Sequence, residues 1–285
     1  YFTSLYKCKT ILKEFKPDVV IGTGGYVTGP VVSSAVKLGI PSIIQEGNSY
    51  PGKVIKYLSA KVSRVIVNFE ETKNYLKRKD NVVKISYPVR SKIKSVTKEE
   101  ALKFFNINNK SKTIFVFGGS QGSKAINEVL ENNIEMLANE NINIIWQTGK
   151  INYERISKKL NNISEKIKIF GFINEIDKAY AASDLVISRA GISSIMELSL
   201  TGKPAILIPY PYAAENHQEK NAQVLIDRDA AVMIRENNIS ESLIREIKSL
   251  IYDDEKLKIL SDNISKVYDK DAPSKIYNEI KSILK

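Results

Sequence analysis

Short runs of β-branched and apolar residues alternate along this chain with longer amphipathic stretches. Four such runs, at 18–21 (DVVI), 42–44, 64–68 and 82–85, fall in the first third. Six more follow at 113–117 (TIFVF), 142–147, 167–170, 185–188, 205–208 and 231–234. Runs apolar at nearly every position are buried on both faces, as strands of a parallel sheet are. Strands alternating with helical stretches predict an α/β fold of parallel sheets wound with helices. The polar, proline-led segment 88–98 (PVRSKIKSVTK) separates the two sets and reads as an interdomain linker. On either side of it the same order recurs: strand, glycine loop, helix.

The first element, about 2–15, reads as a helix feeding the strand at 18–21. A doubly wound half opens instead with a strand whose following loop carries glycines. The first domain is therefore expected to be incomplete and the chain to lack its true N-terminus.

Composition narrows the class. At 43% hydrophobic and 26% charged the chain is globular rather than disordered or fibrous. No apolar run approaches the ~18 residues that a membrane span needs, and the opening residues carry no signal-peptide core. A lone cysteine, Cys8, excludes a disulfide framework and a Cys-based zinc site. A lone histidine, His217, leaves little for His-based metal chemistry, so no metal or other cofactor is expected. The net charge of +11 is uneven: residues 1–90 hold 15 basic against 6 acidic side chains, whereas the remainder is close to balance. Such a region suits an anionic membrane surface or a phosphorylated substrate, or is simply a lysine-rich surface. Without a dense Arg cluster and interleaved aromatics, nucleic acid is not an expected partner.

Five segments could carry chemistry. Gly22-Thr23-Gly24-Gly25-Tyr26 follows the first strand; Val27 stands where a dinucleotide fingerprint needs its third glycine, so a bare turn fits as well as a site. Gly118-Gly119-Ser120-Gln121-Gly122 follows TIFVF and opens a helix at about 124–137. Its amides, the Ser120 hydroxyl and the helix dipole favour a phosphate. It lacks the Walker ending, and the next strand ends in Trp146-Gln147 with no acid for an NAD ribose, so a phosphate-bearing ligand other than NAD is expected. Ser188 to Glu197 enters a helix ending at Gly202. There Ser194-x-x-Glu197 is a capping-box pattern, yet Glu197 is equally placed to accept ribose hydroxyls. After Pro209-Tyr210-Pro211-Tyr212, Gln218 and Asn221 share a helix face and suit a sugar, whereas His217 has no partner typical of a catalytic pair. Gln45-Glu46-Gly47-Asn48 fits a cleft loop or an ordinary turn.

Taken in order, DVVIGTGGYVTGP (18–30), GIPSIIQEGNSYPG (39–52), PVR (88–90), FGGSQGSKAIN (117–127), GFINEIDKAYAASDLVISRAGISSIMEL (171–198) and GKPAILIPYPYAAENHQEKNA (202–222) resemble the MurG family of glycosyltransferases. The resemblance spans essentially the whole chain. It implies a GT-B fold, two Rossmann-like doubly wound domains facing a cleft. Residues 1–88 would form the acceptor and membrane-side domain, with 271–285 a candidate helix packing back on it, and 89–270 the UDP-GlcNAc-binding domain. It implies transfer of N-acetylglucosamine to undecaprenyl-pyrophosphoryl-MurNAc-pentapeptide, at the cytoplasmic face of the bacterial membrane. The donor site would use Asn48, Arg90, Ser120, Ile173, Ile192, Ser193, Ser194, Ile195, Met196, Glu197 and Gln218. Ser120 and amides such as that of Gly119 would meet the diphosphate, the Ile173 backbone the uracil, Glu197 the ribose and Gln218 the GlcNAc hydroxyls. His217 would stand at a neighbouring sugar-reading position, with Asn221 further along that helix. Tyr26 and Glu46 match positions near the acceptor, Glu46 being a candidate base.

The family's opening glycine loop and its proposed catalytic histidine are absent. Gln45, Gly47, Ile55 and Tyr87 replace a histidine, a glutamine and two asparagines of the family pattern. As it stands the chain is expected to bind UDP-GlcNAc weakly or not at all and to turn over nothing. Competing readings are another GT-B nucleotide-sugar:lipid transferase, such as a diacylglycerol glucosyltransferase, and a non-catalytic nucleotide-sugar-binding module.

Overall fold

Backbone groups of the apolar runs find their partners in two parallel sheets. The computed structural model describes residues 2–90, 93, 95–160 and 163–284. The chain divides into two units, Tyr1–Pro88 with Asp269–Lys285, and Val89–Tyr268. Of the 88–98 linker expected from sequence, residues 91, 92 and 94 lie outside the described residues.

The first unit contains α1 (Phe2–Phe15), β1 (Val20–Gly22), α2 (Thr28–Lys37), β2 (Ser42–Glu46), α3 (Lys53–Leu58), β3 (Arg64–Val67), β4 (Val82–Lys84) and α12 (Ala272–Ile283). Its strands are parallel in the order β1-β2-β3-β4. Successive side chains of a strand point to opposite faces, and in β2 both faces are covered. Ile44 packs with Val65, Val67, Val32 and Leu58, whereas Ile43 packs with Ile66, Ile85 and Ala272 of α12. Arg64 Nε donates to Glu279 Oε2 at 2.8 Å, fixing α12 on the second face. Asp269 N–H donates to Ser86 Oγ at 2.8 Å, so the return to this unit starts there.

The second unit opens with α4 (Lys98–Phe104), β5 (Lys112–Phe117), α5 (Lys124–Asn139), β6 (Ile142–Gln147), α6 (Lys150–Lys159) and β7 (Ile167–Phe170). It continues through α7 (Ile176–Ala182), β8 (Leu185–Ser188), α8 (Ile192–Thr201), β9 (Ala205–Leu207), α9 (His217–Ile226), β10 (Val232–Met233), α10 (Ile239–Ile251) and α11 (Asp254–Ser265). The six strands are parallel and ordered β10-β9-β8-β5-β6-β7. Winding leaves β5 in one direction and resumes on its other side at β8. Ligands of such sheets bind beyond the carboxyl ends of the strands at that reversal.

One core binds this sheet to its helices, with Trp146, Ile114, Ile144, Ile126, Leu130, Ile134, Leu243 and Ile247 among its buried members. The loops after β5 and β6 press against each other through glycines. A Cβ on Gly122 would stand 2.1 Å from Thr148 O, and one on Gly149 would stand 2.2 Å from Gln121 O; φ is +78° and +83° at the two. Only glycine suits both the left-handed backbone and the approach. Gly149→Ala is therefore expected to destabilise the protein by about 2–4 kcal/mol. Urea unfolding checks this, and an unchanged midpoint would mean that the two loops do not depend on the contact.

Candidate active site

At the reversal, Phe117 of β5 is paired with Ser188 of β8, so the loops that leave these strands start side by side. The first is the glycine bend. Gly122 N–H donates to Gly119 O at 3.1 Å, closing a turn with Ser120 exposed at its tip. Ser123 then caps α5, its hydroxyl accepting from Ile126 N–H. Behind the bend, Asn127 Oδ1 accepts from Trp146 Nε1 at 3.1 Å while its Nδ2 donates to Thr148 O at 2.8 Å.

Arg189, the first residue after β8, is nearly buried. Its Nη1 donates to Ile208 O and Pro209 O, both at 3.2 Å. Its Nη2 donates to Ser123 Oγ at 2.7 Å and pairs with Glu236. Gln147, at the end of β6, makes a second tie. Its Nε2 donates to Gly119 O at 3.1 Å and its Oε1 accepts from Ile173 N–H at 2.8 Å. Neither side chain was singled out as a site residue from sequence, although an arginine ending the apolar run LVIS was a visible signal.

α8 begins one residue after Gly191, which is its N-cap. Ser194 is thus the third residue inside the helix, and the capping-box reading of Ser194 and Glu197 is wrong. The helix starts early because Ile195, Met196 and Leu198 are wholly buried and fix its register. The same burial gives the Ile195 and Met196 side chains a core role, leaving the first-turn amides at Ile192, Ser193 and Ser194 as the groups open to a ligand. A T-x-x-E capping box does form elsewhere: Thr97 and Glu100 bond reciprocally at the start of α4. α8 ends at Gly202 in the left-handed conformation, as its sequence predicts.

Freed from capping, Glu197 accepts a 3.0 Å hydrogen bond at Oε2 from the buried Tyr180 hydroxyl. Burial raises the Glu197 pKa, while the Tyr180 bond and then the Arg90 charge pull it back. Arg90 and Glu197 thus lie in one electrostatic neighbourhood. Burial, and then the carboxylate itself, push the Tyr180 phenol well above its ordinary range, so it remains the donor.

Around α9, Gln218 Oε1 accepts from Tyr210 N–H at 2.9 Å and steadies the 209–212 loop, leaving Nε2 free to donate. His217 Nδ1–H donates to Ala214 O at 2.7 Å. Asn221 is fully buried and its Nδ2 donates to Ala190 O, so it ties α9 to the β8–α8 loop and lies outside the sugar-facing surface expected for it.

In the first unit, β2 runs on to Glu46, so Gln45 and Glu46 are strand residues rather than members of the expected loop. Pairing with Val67 extends the strand to that point. Glu46 Oε1 accepts from Asn48 N–H and Nδ2 at 2.9 and 3.1 Å, and Oε2 accepts from Gly52 N–H at 3.1 Å. A carboxylate so engaged shapes the 47–52 loop and has little capacity left to act as a base. Tyr26 is exposed after β1. Among the described residues, no group of three or more His, Cys, Asp and Glu could hold a metal ion.

Two parallel α/β units, the second with a six-stranded sheet and this reversal, make up the GT-B fold. Residues 113–275 match the glycosyltransferase family 28 C-terminal domain, and residues 2–67 match its N-terminal domain. A Desulforamulus reducens protein is 40% identical over 282 residues, covering 96% of this chain and 76% of the relative. A Thermoanaerobacter pseudethanolicus protein is 41% identical over 286 residues, covering 98% and 78%. Both are named UDP-N-acetylglucosamine–N-acetylmuramyl-(pentapeptide) pyrophosphoryl-undecaprenol N-acetylglucosamine transferase. The crystal structure of Acinetobacter baumannii MurG superposes with a TM-score of 0.82 at 26% identity, over 98% of this chain and 78% of that one. A Staphylococcus aureus MnaA–UDP structure, at 15% identity and TM-score 0.73 over 99% of this chain and 80% of that one, shares the fold. The chain belongs to glycosyltransferase family 28 and, within it, to the MurG N-acetylglucosamine transferases.

An acid whose pKa is raised by folding holds more protons folded than unfolded, so its contribution to stability falls as pH rises from the unfolded to the folded pKa. Glu197→Gln is accordingly expected to raise the unliganded protein's Tm at neutral pH and to lose that advantage on acidification through the carboxylate range. Thermal unfolding at several pH values checks this; a gain that is the same at every pH would deny that Glu197 is ionised at a cost.

Proposed function

We propose that the protein transfers N-acetylglucosamine from UDP-N-acetylglucosamine to a lipid-linked N-acetylmuramyl-pentapeptide pyrophosphate, with inversion and without a covalent enzyme intermediate. The observation that carries the donor half is the meeting, at one strand reversal, of the glycine bend and the α8 start that bears Glu197. Phosphate oxygens are met by amides of the bend, the Ser120 hydroxyl, Arg90 and the first-turn N–H groups of α8. Those donors are fixed before reaction and strengthen as charge grows on the departing UDP, the electrostatic contribution that dominates such transfers. Glu197 Oε1 takes the ribose hydroxyls. Because Gln147 occupies the Ile173 N–H, the Ile173 carbonyl is the group that reads the uracil N3–H. Gln218 Nε2 reads the sugar hydroxyls, with His217 Nε2 nearby in sequence as an acceptor. Asn48, through its own amides, shapes the 47–52 loop of the first unit.

The lipid half is assigned to the first unit. α1 exposes Tyr6, Ile11 and Phe15 among Lys7, Lys9 and Lys13, a mixture suited to an anionic lipid surface on the cytoplasmic side. No described helix is long and apolar enough to cross a membrane.

Calorimetric titration tests the donor assignment: UDP-N-acetylglucosamine is expected to give heat and to outcompete UDP-glucose. Silence with every uridine diphosphate compound would overturn it, and preference for UDP-glucose would favour a different sugar transferase. Glu197→Ala is expected to weaken donor binding by ~1–3 kcal/mol, the cost of leaving polar partners unpaired. For the lipid half, sedimentation with phosphatidylglycerol vesicles is expected to exceed that with phosphatidylcholine and to fall with added salt.

A further inference from the structure

We infer that Tyr180 is a positioning residue for nucleotide recognition: its hydroxyl pins Oε2 of Glu197 and thereby aims Oε1 at the two ribose hydroxyls. This rests on the donor-site reading above.

Four observations carry it. Tyr180 is fully buried on α7, a different element from the one bearing Glu197. Its ring is gripped edge-on by Phe115 and Phe117 of β5, with centroids at 5.6 and 6.0 Å, so the phenol oxygen has little freedom. That oxygen stands 3.0 Å from Glu197 Oε2, while Oε1 takes no protein hydrogen bond among the described residues. Finally, β5 leads directly into the glycine bend, so the strand that immobilises Tyr180 also places the phosphate donors.

The physical reason follows. Packing here needs only an aromatic ring, which phenylalanine would supply without burying a hydroxyl. A glutamate side chain has several rotatable bonds, and freezing them before the ligand arrives removes an ordering cost from binding. A bonded phenol also favours the ionised carboxylate, the better acceptor for two hydroxyl donors. Of the titratable groups around Glu197, Tyr180 of α7 and Arg90 act on its charge, and both favour the ionised form.

Tyr180→Phe removes one oxygen and keeps the ring. Titrated near neutral pH, UDP is expected to bind the variant about 5–10-fold more weakly, the loss of one hydrogen bond to a charged acceptor. Its acid limb of binding should move to higher pH, because Glu197 would protonate more readily without the phenol's hydrogen bond. UDP's own titration is common to both proteins and cancels in the comparison. The 2′,3′-dideoxy analogue of UDP, which has no ribose hydroxyls to aim at, should bind wild type and variant alike. In a Glu197→Gln background Tyr180→Phe should change nothing in the acid limb. Equal losses for UDP and its dideoxy analogue, an unmoved acid limb, or a variant that fails to fold would assign Tyr180 to packing and overturn the inference. Failure of wild type to bind UDP at all would instead strike the donor-site reading itself.

Discussion

A nearly buried guanidinium is the constraint on which the second unit's ligand edge depends. Charge withdrawn from water is tolerated only where every donor is met. Arg189 commits both of its terminal nitrogens, which span the end of β9, the cap of α5 and Glu236. Each partner belongs to a different connection, so the connections cannot shift independently without leaving a donor unsatisfied. Losing the guanidinium would strand two carbonyls and a carboxylate together, whereas losing any one partner strands a single group. Gln147 repeats the principle without charge, its one amide joining the bend at Gly119 to the connection at Ile173.

Against this rigid frame Glu197 is held under tension, as is Lys203, whose pKa burial pulls down to about 8. The Glu197 carboxylate is disfavoured by burial and bonded at Oε2 to the Tyr180 hydroxyl. A ligand offering hydroxyl donors to that carboxylate would relieve the tension. The glycine contacts behind the bend act similarly on the backbone, because neither Gly122 nor Gly149 can be replaced without separating the two loops.

Most of the architecture was legible because parallel strands are apolar on both faces and bounded by glycine and proline. All ten runs read from the sequence are strands, with ends displaced by a residue or two. The family resemblance was equally legible, since it rests on loop residues at fixed places after those strands. What could not be read was which of two uses a local motif serves. Ser194-x-x-Glu197 and Thr97-x-x-Glu100 obey the same pattern, but only the second caps a helix, because buried Ile195 and Met196 draw the start of α8 forward. Asn221 shares a helix face with Gln218 in any helical projection; the carbonyl of Ala190, thirty-one positions away, decides that it points inward. Glu46 looked available as a base until the amides of Asn48 and Gly52 were seen to occupy it. Arg189 and Gln147 could not be placed because their partners are distant in sequence, and those of Gln147, with two of those of Arg189, are backbone groups that leave no residue signature.

The return of α12 to the first sheet bears on how the polypeptide is made. The apolar face formed by Ile43, Ile66 and Ile85 is synthesised about 190 residues or more before the Ala272 and Ile276 that cover it. During the interval the whole of the second unit emerges, with a self-contained core that can consolidate first. The first sheet is thus completed only after the second unit has been made, and for that interval its uncovered isoleucines are the surface most in need of a chaperone.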